Sequence, residues 1–327
     1  MNKNIKIFVN YFLGPLLFAW LSYSIYRQIV KQPQLEESWL RIRQSFQSYK
    51  IAYLILAVVL IAVNWGLEAW KWMLSVRTFY PVKFLQAFKA VLSGVSFSIT
   101  MPNRVGEYLG RTMYLPEGNR LKTISVTLVG SFSQLLITII IGTFGLIVLK
   151  ASLITQLPQL KIWYQFIVYG LLILIALLLL IYFNVEGTVS LFNKWIKNQR
   201  YIYLVEALQK FHTGLLIQML ALSFLRYLIF ITQYVLVFYL FEVNVPVEAI
   251  VMVMSVVFLA MAIIPSIALI EVWLRGEISI KLMGLFSLNT LGIGVTSVTV
   301  WFINLILPAI AGSLLLLSLR IFKNESD

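Results

Sequence analysis

The stretch FLQAFKAVLSGVSFSITMPNRVGEYLGR, residues 84–111, decides the fold. Its first part is apolar, but Lys89 and several hydroxyl residues make it a poor helix to face lipid. Pro102 lacks a backbone N–H and breaks a helix, and a charged run follows it at once. Non-helical backbone is tolerated at membrane depth only where protein or water covers it. The stretch therefore predicts a broken or re-entrant helix.

The rest of the chain is dominated by apolar stretches long enough to cross a bilayer of ~30 Å. Of 327 residues, 60% are apolar and only 12% are charged, whereas a soluble domain has roughly 25% charged residues. Apolar spans are predicted at 7–29, 51–74, 121–149, 162–184, 214–241, 246–264 and 291–318. We therefore expect an all-α polytopic membrane protein with about six full transmembrane helices plus two broken or re-entrant segments. These form a single domain over 1–327.

The distribution of basic residues predicts the topology. If the segments at 84–113 and 265–289 both return to the side from which they start, the side with both termini holds roughly twice as many Lys and Arg residues as the other. That excess predicts that both termini are cytoplasmic and that the protein lies in the cell membrane. The segment 186–211 mixes aromatic and basic residues, which is typical of a helix in the membrane interface.

The composition excludes several classes of function. The chain has no Cys and one His, and its single Asp is the last residue, Asp327. Thiol chemistry, a Ser-His-Asp triad and a zinc site of several His or Cys ligands are therefore excluded. The net charge of +13 is not concentrated in a basic block, so we expect no nucleic-acid partner. No phosphate-binding loop of the ATPase type occurs, and we expect neither a cofactor nor enzymatic activity.

Two helix breaks resemble each other. In the first, Pro102 is followed by Arg104-Val105-Gly106-Glu107. In the second, Pro265 is followed by Arg275-Gly276-Glu277. Interrupted segments in corresponding halves of a membrane protein point to a transporter's substrate site, and the pair suggests an inverted repeat.

Charged side chains in and near these breaks are the predicted substrate-binding residues, because ionisable groups at membrane depth are costly and usually functional. They are Arg104, Glu107, Arg111, Arg226, Glu271, Arg275 and Glu277. Residues that break or open the backbone are predicted to be structural, namely Pro102, Gly106, Pro265 and Gly276. Gly106 is expected to let a ligand approach the backbone beside Arg104. The alternative is that Arg and Glu merely cap the broken helices and pair with each other.

Two further sets of charges need partners. Arg226 lies ~18 Å into its span, too deep to reach the interface easily, so it must face water, a ligand or a Glu on a neighbouring helix. Glu68 and Lys71 are three residues apart and are expected to pair with each other at the membrane interface. Glu107 is expected to pair with an arginine, since an unpaired buried carboxylate is costly.

The stretch Pro102-Asn103-Arg104-Val105-Gly106-Glu107 resembles the Pro-x-Arg-x-Gly-Glu motif of the lysylphosphatidylglycerol synthase transmembrane-region family, whose members are also called flippase-like domain proteins. Arg275-Gly276-Glu277 resembles that family's second signature, a Gly-rich stretch that ends in an Arg-Glu pair. Here 267–270 has no Gly, and Gly276 separates the Arg from the Glu.

The resemblance implies a polytopic domain that moves a lipid between membrane leaflets. In the full synthases a cytoplasmic domain attaches lysine to phosphatidylglycerol. This chain ends at Asp327, so we expect it not to be an aminoacyl-lipid synthase.

Three functions remain open. The first is a flippase or transporter for an anionic or zwitterionic phospholipid or polyprenyl-phosphate lipid, with Arg and Glu side chains forming a midplane site. The second is a membrane glycosyltransferase that uses a polyprenyl-linked sugar, with Glu36 and Glu37 as its acids. The third is a non-transporting scaffold subunit with a membrane partner. A membrane lipid is the expected partner in the first case, and the chain could also form a homo-oligomer.

Overall fold

A computed structural model describes residues 35–100, 105–156, 158–185, 210–264 and 268–323, with a few isolated positions outside these ranges. These parts of the chain form helices joined by short connections. The α-helices are α1 Leu35–Ser45, α2 Ile51–Val76, α3 Phe84–Thr100, α4 Gly106–Thr112, α5 Arg120–Val148, α6 Lys150–Gln156, α7 Leu160–Phe183, α8 Thr213–Leu240, α9 Val247–Ile263, α10 Ala268–Met283, α11 Thr290–Trp301 and α12 Leu307–Lys323. A 3₁₀ turn, Glu117–Asn119, precedes α5, and a π-helical turn, Phe302–Ile306, joins α11 to α12.

Five helical stretches of the described chain are long and apolar enough to cross a membrane. They are Ile51–Val76, Glu117–Val148, Lys161–Phe183, Thr213–Leu240 and Thr290–Leu317. Each corresponds to a predicted span, which confirms the all-α polytopic class. The predicted first span, 7–29, and nearly all of the amphipathic segment 186–211 lie outside the described residues.

The stretch 84–111 folds as a helical hairpin made of α3 and α4. A Cβ atom added to Gly106 in α4 would lie only 2.1 Å from the carbonyl oxygen of Phe97 in α3. At the open end, the side chain of Gln86 donates a hydrogen bond of 2.8 Å to the carbonyl of Tyr114. The chain thus returns to the end of the hairpin where it began, which is the geometry expected of a re-entrant segment. The expected role of Gly106 is wrong in one respect, because the chain's own backbone, not a ligand, approaches it.

The second broken segment is also a helical hairpin, made of α9 and α10. The guanidinium of Arg275 in α10 lies 5.8 Å from the ring centre of Phe258 in α9. Asn289, which caps the start of α11 after the hairpin, donates a 3.5 Å hydrogen bond to the carbonyl of Phe241, at the end of α8 before the hairpin. Both ends of the hairpin therefore lie together, as at the first break.

The two halves of the bundle have opposite orientations. Helices α2 and α8, which are the long helices directly before the first and second hairpins, pack side by side and antiparallel. Gln233 near the end of α8 donates to the carbonyl of Ala57 near the start of α2, whereas Lys71 near the end of α2 donates to Ser223 nearer the start of α8. Equivalent helices that run in opposite directions are the mark of an inverted repeat.

Each hairpin packs against a helix of the other half. The first hairpin packs on α12, the last helix of the second half, where Ser96 donates a 2.7 Å hydrogen bond to the carbonyl of Ala309. The second hairpin packs on α5, the last helix of the first half, where a Cβ on Gly142 would lie 2.9 Å from the carbonyl oxygen of Ser255. This reciprocal arrangement agrees with the inverted repeat suggested by the two breaks.

An ion pair ties α2 to α8 at one end of the bundle. Lys50, just before α2, lies 2.6 Å from the carboxylate of Glu242, just after α8. The hydrogen bond to Glu242 raises the pKa of Lys50 above its ordinary value. Glu242 adopts a positive φ of 55°, and Val243 closes the helix end with a hydrogen bond to the carbonyl of Phe238.

Candidate functional site

Cationic side chains from three helices converge on one buried carboxylate. Glu68 in α2 is 6% exposed. Its carboxylate pairs with Lys71 at 2.9 Å, with Arg111 at 3.0 Å, and with Arg226. Arg111 also pairs with Glu107 at 3.2 Å. We call these five residues the Glu68 centre.

Local helix geometry positions each member of the Glu68 centre. Glu68 and Lys71 are three residues apart and share one face of α2. Glu107 and Arg111 are one turn apart on the short helix α4, which packs on α5 while the other arm of the hairpin, α3, packs on α2. Arg226 lies about 20 Å along α8 from its first residue, near the middle of that helix.

A shell of neutral polar groups surrounds Arg226. Its Nε donates a 2.9 Å hydrogen bond to the side-chain oxygen of Asn64, and one Nη donates a 3.4 Å bond to that of Gln134. Its guanidinium also lies 5.5 Å from the ring centre of Trp65, at a distance suited to a cation–π interaction. These contacts fix the guanidinium plane and leave Arg226 8% exposed.

A chain of amides extends the network to the π-helical turn. Asn64 donates to Asn304 at 3.2 Å, and Asn304 donates to Gln233 at 2.9 Å. All three amides are buried. A π-helical turn rotates the residues that follow it and often occurs at functional sites. Here the turn between α11 and α12 places Asn304 beside α2 and α8.

The Glu68 centre is rich in cations. Its five residues include three cationic side chains, Lys71, Arg111 and Arg226, and two carboxylates. Within the described residues, the Nε of Arg111 and the Nε1 of Trp65 are buried and find no hydrogen-bond acceptor. Buried charges and donors without partners are costly. The centre therefore concentrates three cationic side chains in the interior of the bundle, with a buried N–H of Arg111 for which the described residues provide no acceptor.

A second charged group lies on the second hairpin. Arg275 and Glu271 are one turn apart on α10, and their charged groups lie 2.5 Å from each other. Tyr234 of α8 interacts with the same guanidinium. Further along α10, Glu277 pairs with the largely exposed Lys281 at 3.0 Å.

A model of the family described as the lysylphosphatidylglycerol synthase TM region matches residues 12–271, most of the chain. The chain belongs to this family. Comparisons with curated proteins and with solved structures gave no match. Together with the five apolar spans, membership of the lysylphosphatidylglycerol synthase TM-region family makes this a multi-pass membrane protein.

In this member of the family, the predicted site residues separate into two groups. The structure brings Glu107, Arg111 and Arg226 together in the Glu68 centre, and it confirms that Glu107 pairs with an arginine. Glu271, Arg275 and Glu277 lie on the second hairpin. Gly276 is buried within α10. Three predicted residues, Arg104, Pro102 and Pro265, lie outside the described residues.

Sequence reasoning missed the importance of Glu68 and Lys71. Their mutual pairing is confirmed, but they are buried between α2, α4 and α8 rather than placed alone at an interface. The available signal was a carboxylate within a long apolar helix, which is functional by default. The lysine three residues later masked this signal, because an ion pair between the two accounts for both charges without a further partner.

Proposed function

We propose that this protein moves a lipid with a phosphate-containing, anionic head group between membrane leaflets, and that the Glu68 centre binds the phosphate. The observation that carries this proposal is the convergence of Lys71, Arg111 and Arg226 on one buried carboxylate, together with the buried Nε of Arg111, for which the described residues provide no acceptor. Membership of a family named for lysylphosphatidylglycerol synthase supports a lipid substrate.

Phosphate chemistry fits the residue types of the centre. Arginine offers a planar fork of donors that matches phosphate oxygens, and lysine adds a compact charge. Arg111 and Arg226 approach Glu68 from two different helices. A phosphate between them would replace the carboxylate as their acceptor, while Glu68 would hold the cations when no lipid is bound.

The interior of the bundle also offsets the main free-energy cost of lipid transport, which is the dehydration of the head group. An anionic head group that crosses hydrocarbon loses its hydration, which costs several kcal/mol or more. The polar chain from Gln134 through Arg226 and Asn64 to Asn304 lies inside the bundle, at the middle of α8. It offers hydrogen bonds at the depth where lipid chains offer none. We place the protein in the cell membrane with both termini cytoplasmic, on the basis of the basic residues.

The test is a leaflet-resolved transport assay on purified protein in vesicles. Lipids that co-purify are first identified by mass spectrometry. Transport is then measured with fluorescent phosphatidylglycerol and, separately, with a fluorescent polyprenyl phosphate, which distinguishes the two lipid sources. Arg226→Lys keeps the charge but loses the donor fork. The loss of one charge-assisted hydrogen bond costs roughly 1.5–3 kcal/mol, so lipid affinity should fall about ten- to a hundredfold.

A matched control is available in the same chain. Arg120→Lys makes the same change in an exposed pair with Glu117 before α5 and should leave transport unchanged. If Arg226→Lys folds, inserts and transports both lipids like the unmodified protein, the anion-site mechanism is wrong and a scaffold role becomes the better hypothesis.

The glycosyltransferase alternative relies on Glu36 and Glu37 of α1. Glu37 instead forms an ion pair with Arg41, one turn later, and both side chains are largely exposed. Replacing Glu36 and Glu37 with Ala should therefore leave lipid transport intact. A loss of activity in that double variant would favour the glycosyltransferase.

A further inference from the structure

The two hairpins carry the same charged pair at the same place. In α4, Glu107 is followed four residues later by Arg111, and in α10, Glu271 is followed four residues later by Arg275. The interval from Glu107 to Glu271 equals that from Arg111 to Arg275, and it is nearly the interval between the starts of α3 and α9. This correspondence differs from the one suggested by the sequence, which aligned Arg104-Val105-Gly106-Glu107 with Arg275-Gly276-Glu277.

In both pairs the two side chains contact each other directly across one helical turn. Each arginine forms an ion pair with the glutamate one turn before it, at 3.2 Å in α4 and 2.5 Å in α10. Within the described residues, the Nε of Arg111 and the Nε of Arg275 are both buried without a hydrogen-bond acceptor. In both halves the described residues therefore leave the Nε of the hairpin arginine without an acceptor.

Each arginine also reaches the first helix of its own half. Arg111 contacts Glu68 of α2, and Arg275 contacts Tyr234 of α8. Because α2 and α8 are antiparallel equivalents, the inverted repeat that relates the hairpins also relates these two contacts. The two arginines therefore occupy corresponding positions in halves of opposite orientation.

We propose that Glu271 and Arg275 form a second phosphate site, the inverted counterpart of Glu107 and Arg111, and that the lipid head group occupies it when the lipid exchanges with the opposite leaflet. This inference rests on the proposed function. An inverted repeat places one hairpin toward each leaflet. If each hairpin carries an arginine that binds phosphate, the head group has a binding site on each side of the membrane.

The two sites should differ in strength. The Glu68 centre adds Lys71 and Arg226 to its hairpin arginine, whereas the guanidinium of Arg275 packs over the ring of Phe258 and beside Tyr234. An aromatic ring stabilises a cation but gives no charge to an incoming phosphate. The second site should therefore bind the head group more weakly and release it more readily.

The test measures transport from each leaflet separately. The full chain is placed in vesicles in one orientation, and the mole fraction of fluorescent phosphatidylglycerol is varied in the starting leaflet. Arg275→Lys should raise the half-saturating mole fraction about tenfold for transport that starts in one leaflet. Arg111→Lys should raise it for transport that starts in the other. Arg120→Lys serves as the matched control and should change neither value.

The outcomes separate this inference from the proposed function. If Arg111→Lys impairs transport and Arg275→Lys leaves both half-saturating values unchanged, the second site is wrong and the proposed function stands. If both variants raise the value from the same leaflet, the hairpins share one site, which also overturns the inference. If neither variant alters transport, both proposals fail. Glu271→Gln, which keeps the shape of the pair, replaces Arg275→Lys if that variant does not fold. It should lower the half-saturating value from the same leaflet, because it removes the carboxylate that competes with the phosphate for Arg275, and an unchanged value would overturn the inference.

Discussion

Neutralising Glu68 should destabilise the bundle more than any other single carboxylate-to-amide change among the described residues. Glu68→Gln keeps the side-chain shape but removes the charge that faces Lys71, Arg111 and Arg226. The substitution removes one negative charge from among these three cations. Breaking a buried ion pair by removing one partner costs about 3–5 kcal/mol, because the other charge stays buried without compensation.

The assay is the melting temperature of the purified protein in a neutral detergent, measured with and without added anionic lipid. Glu68→Gln should melt well below the unmodified protein. Added phosphatidylglycerol should restore more stability to the variant than to the unmodified protein, because its phosphate supplies the missing negative charge. A neutral glycolipid should not have this effect.

Glu117→Gln is the matched control. Glu117 pairs with Arg120 but is 86% exposed, and an exposed pair contributes at most about 1 kcal/mol. If Glu68→Gln melts like Glu117→Gln, the charges of the centre are solvated and the argument for a buried anion site fails. If the variant is destabilised but phosphatidylglycerol and the neutral glycolipid act alike, the centre is structural rather than a lipid site.

Three further predictions follow from the fold. Cysteines placed just before α3 and just after α4, in this Cys-free chain, should react with an impermeant reagent from the same side of the membrane; labelling from opposite sides would refute the re-entrant hairpin. Gly106→Ala should lower the melting temperature strongly, because the new Cβ would lie 2.1 Å from the carbonyl oxygen of Phe97, whereas Gly66→Ala meets nothing within 4 Å and should be neutral or stabilising. Glu242→Gln should destabilise the protein by less than about 1 kcal/mol at neutral pH. The pKa of Lys50 in the folded protein is raised, so the difference in stability between the two proteins should persist below pH about 10.4. It should vanish as the pH rises through the raised pKa. Melting of both proteins as a function of pH measures this.

The positions of the long helices could be predicted from the sequence, because hydropathy determines which segments enter a membrane. The observed helix Arg120–Val148 differs from the predicted span 121–149 by a single residue at each end, and the other spans agree similarly. The first hairpin was also predictable. Its Pro102, polar content and basic flanks all disfavour a full crossing.

The candidate site was only partly predictable because its charges come from helices that are distant in sequence. Arg226 was recognisable as a charge that needs a partner, but nothing local indicated that the partner is Glu68. The expected Glu68–Lys71 pair is real, yet tertiary packing decides that both also serve Arg226 and Arg111. In the same way, a shared Arg-Gly-Glu sequence suggested one alignment of the halves, whereas the one-turn spacing of Glu and Arg on each hairpin gives another.

If the Glu68 centre binds a head group as proposed, the position of Glu68 also couples that binding to the first hairpin. Arg111 is the contact through which α4 reaches the carboxylate on α2, and Arg226 is the corresponding contact from α8. A phosphate that takes over these two arginines removes the ionic contacts that hold the three helices together through Glu68. Because the inserted phosphate is bound to a lipid and not to α2, the hairpin would then be tied to the substrate instead of to the bundle. Under the proposed function, head-group phosphate and Glu68 therefore compete for the same two guanidinium groups, and a ligand that binds them shifts the population of the bundle toward the state in which these ionic contacts are open.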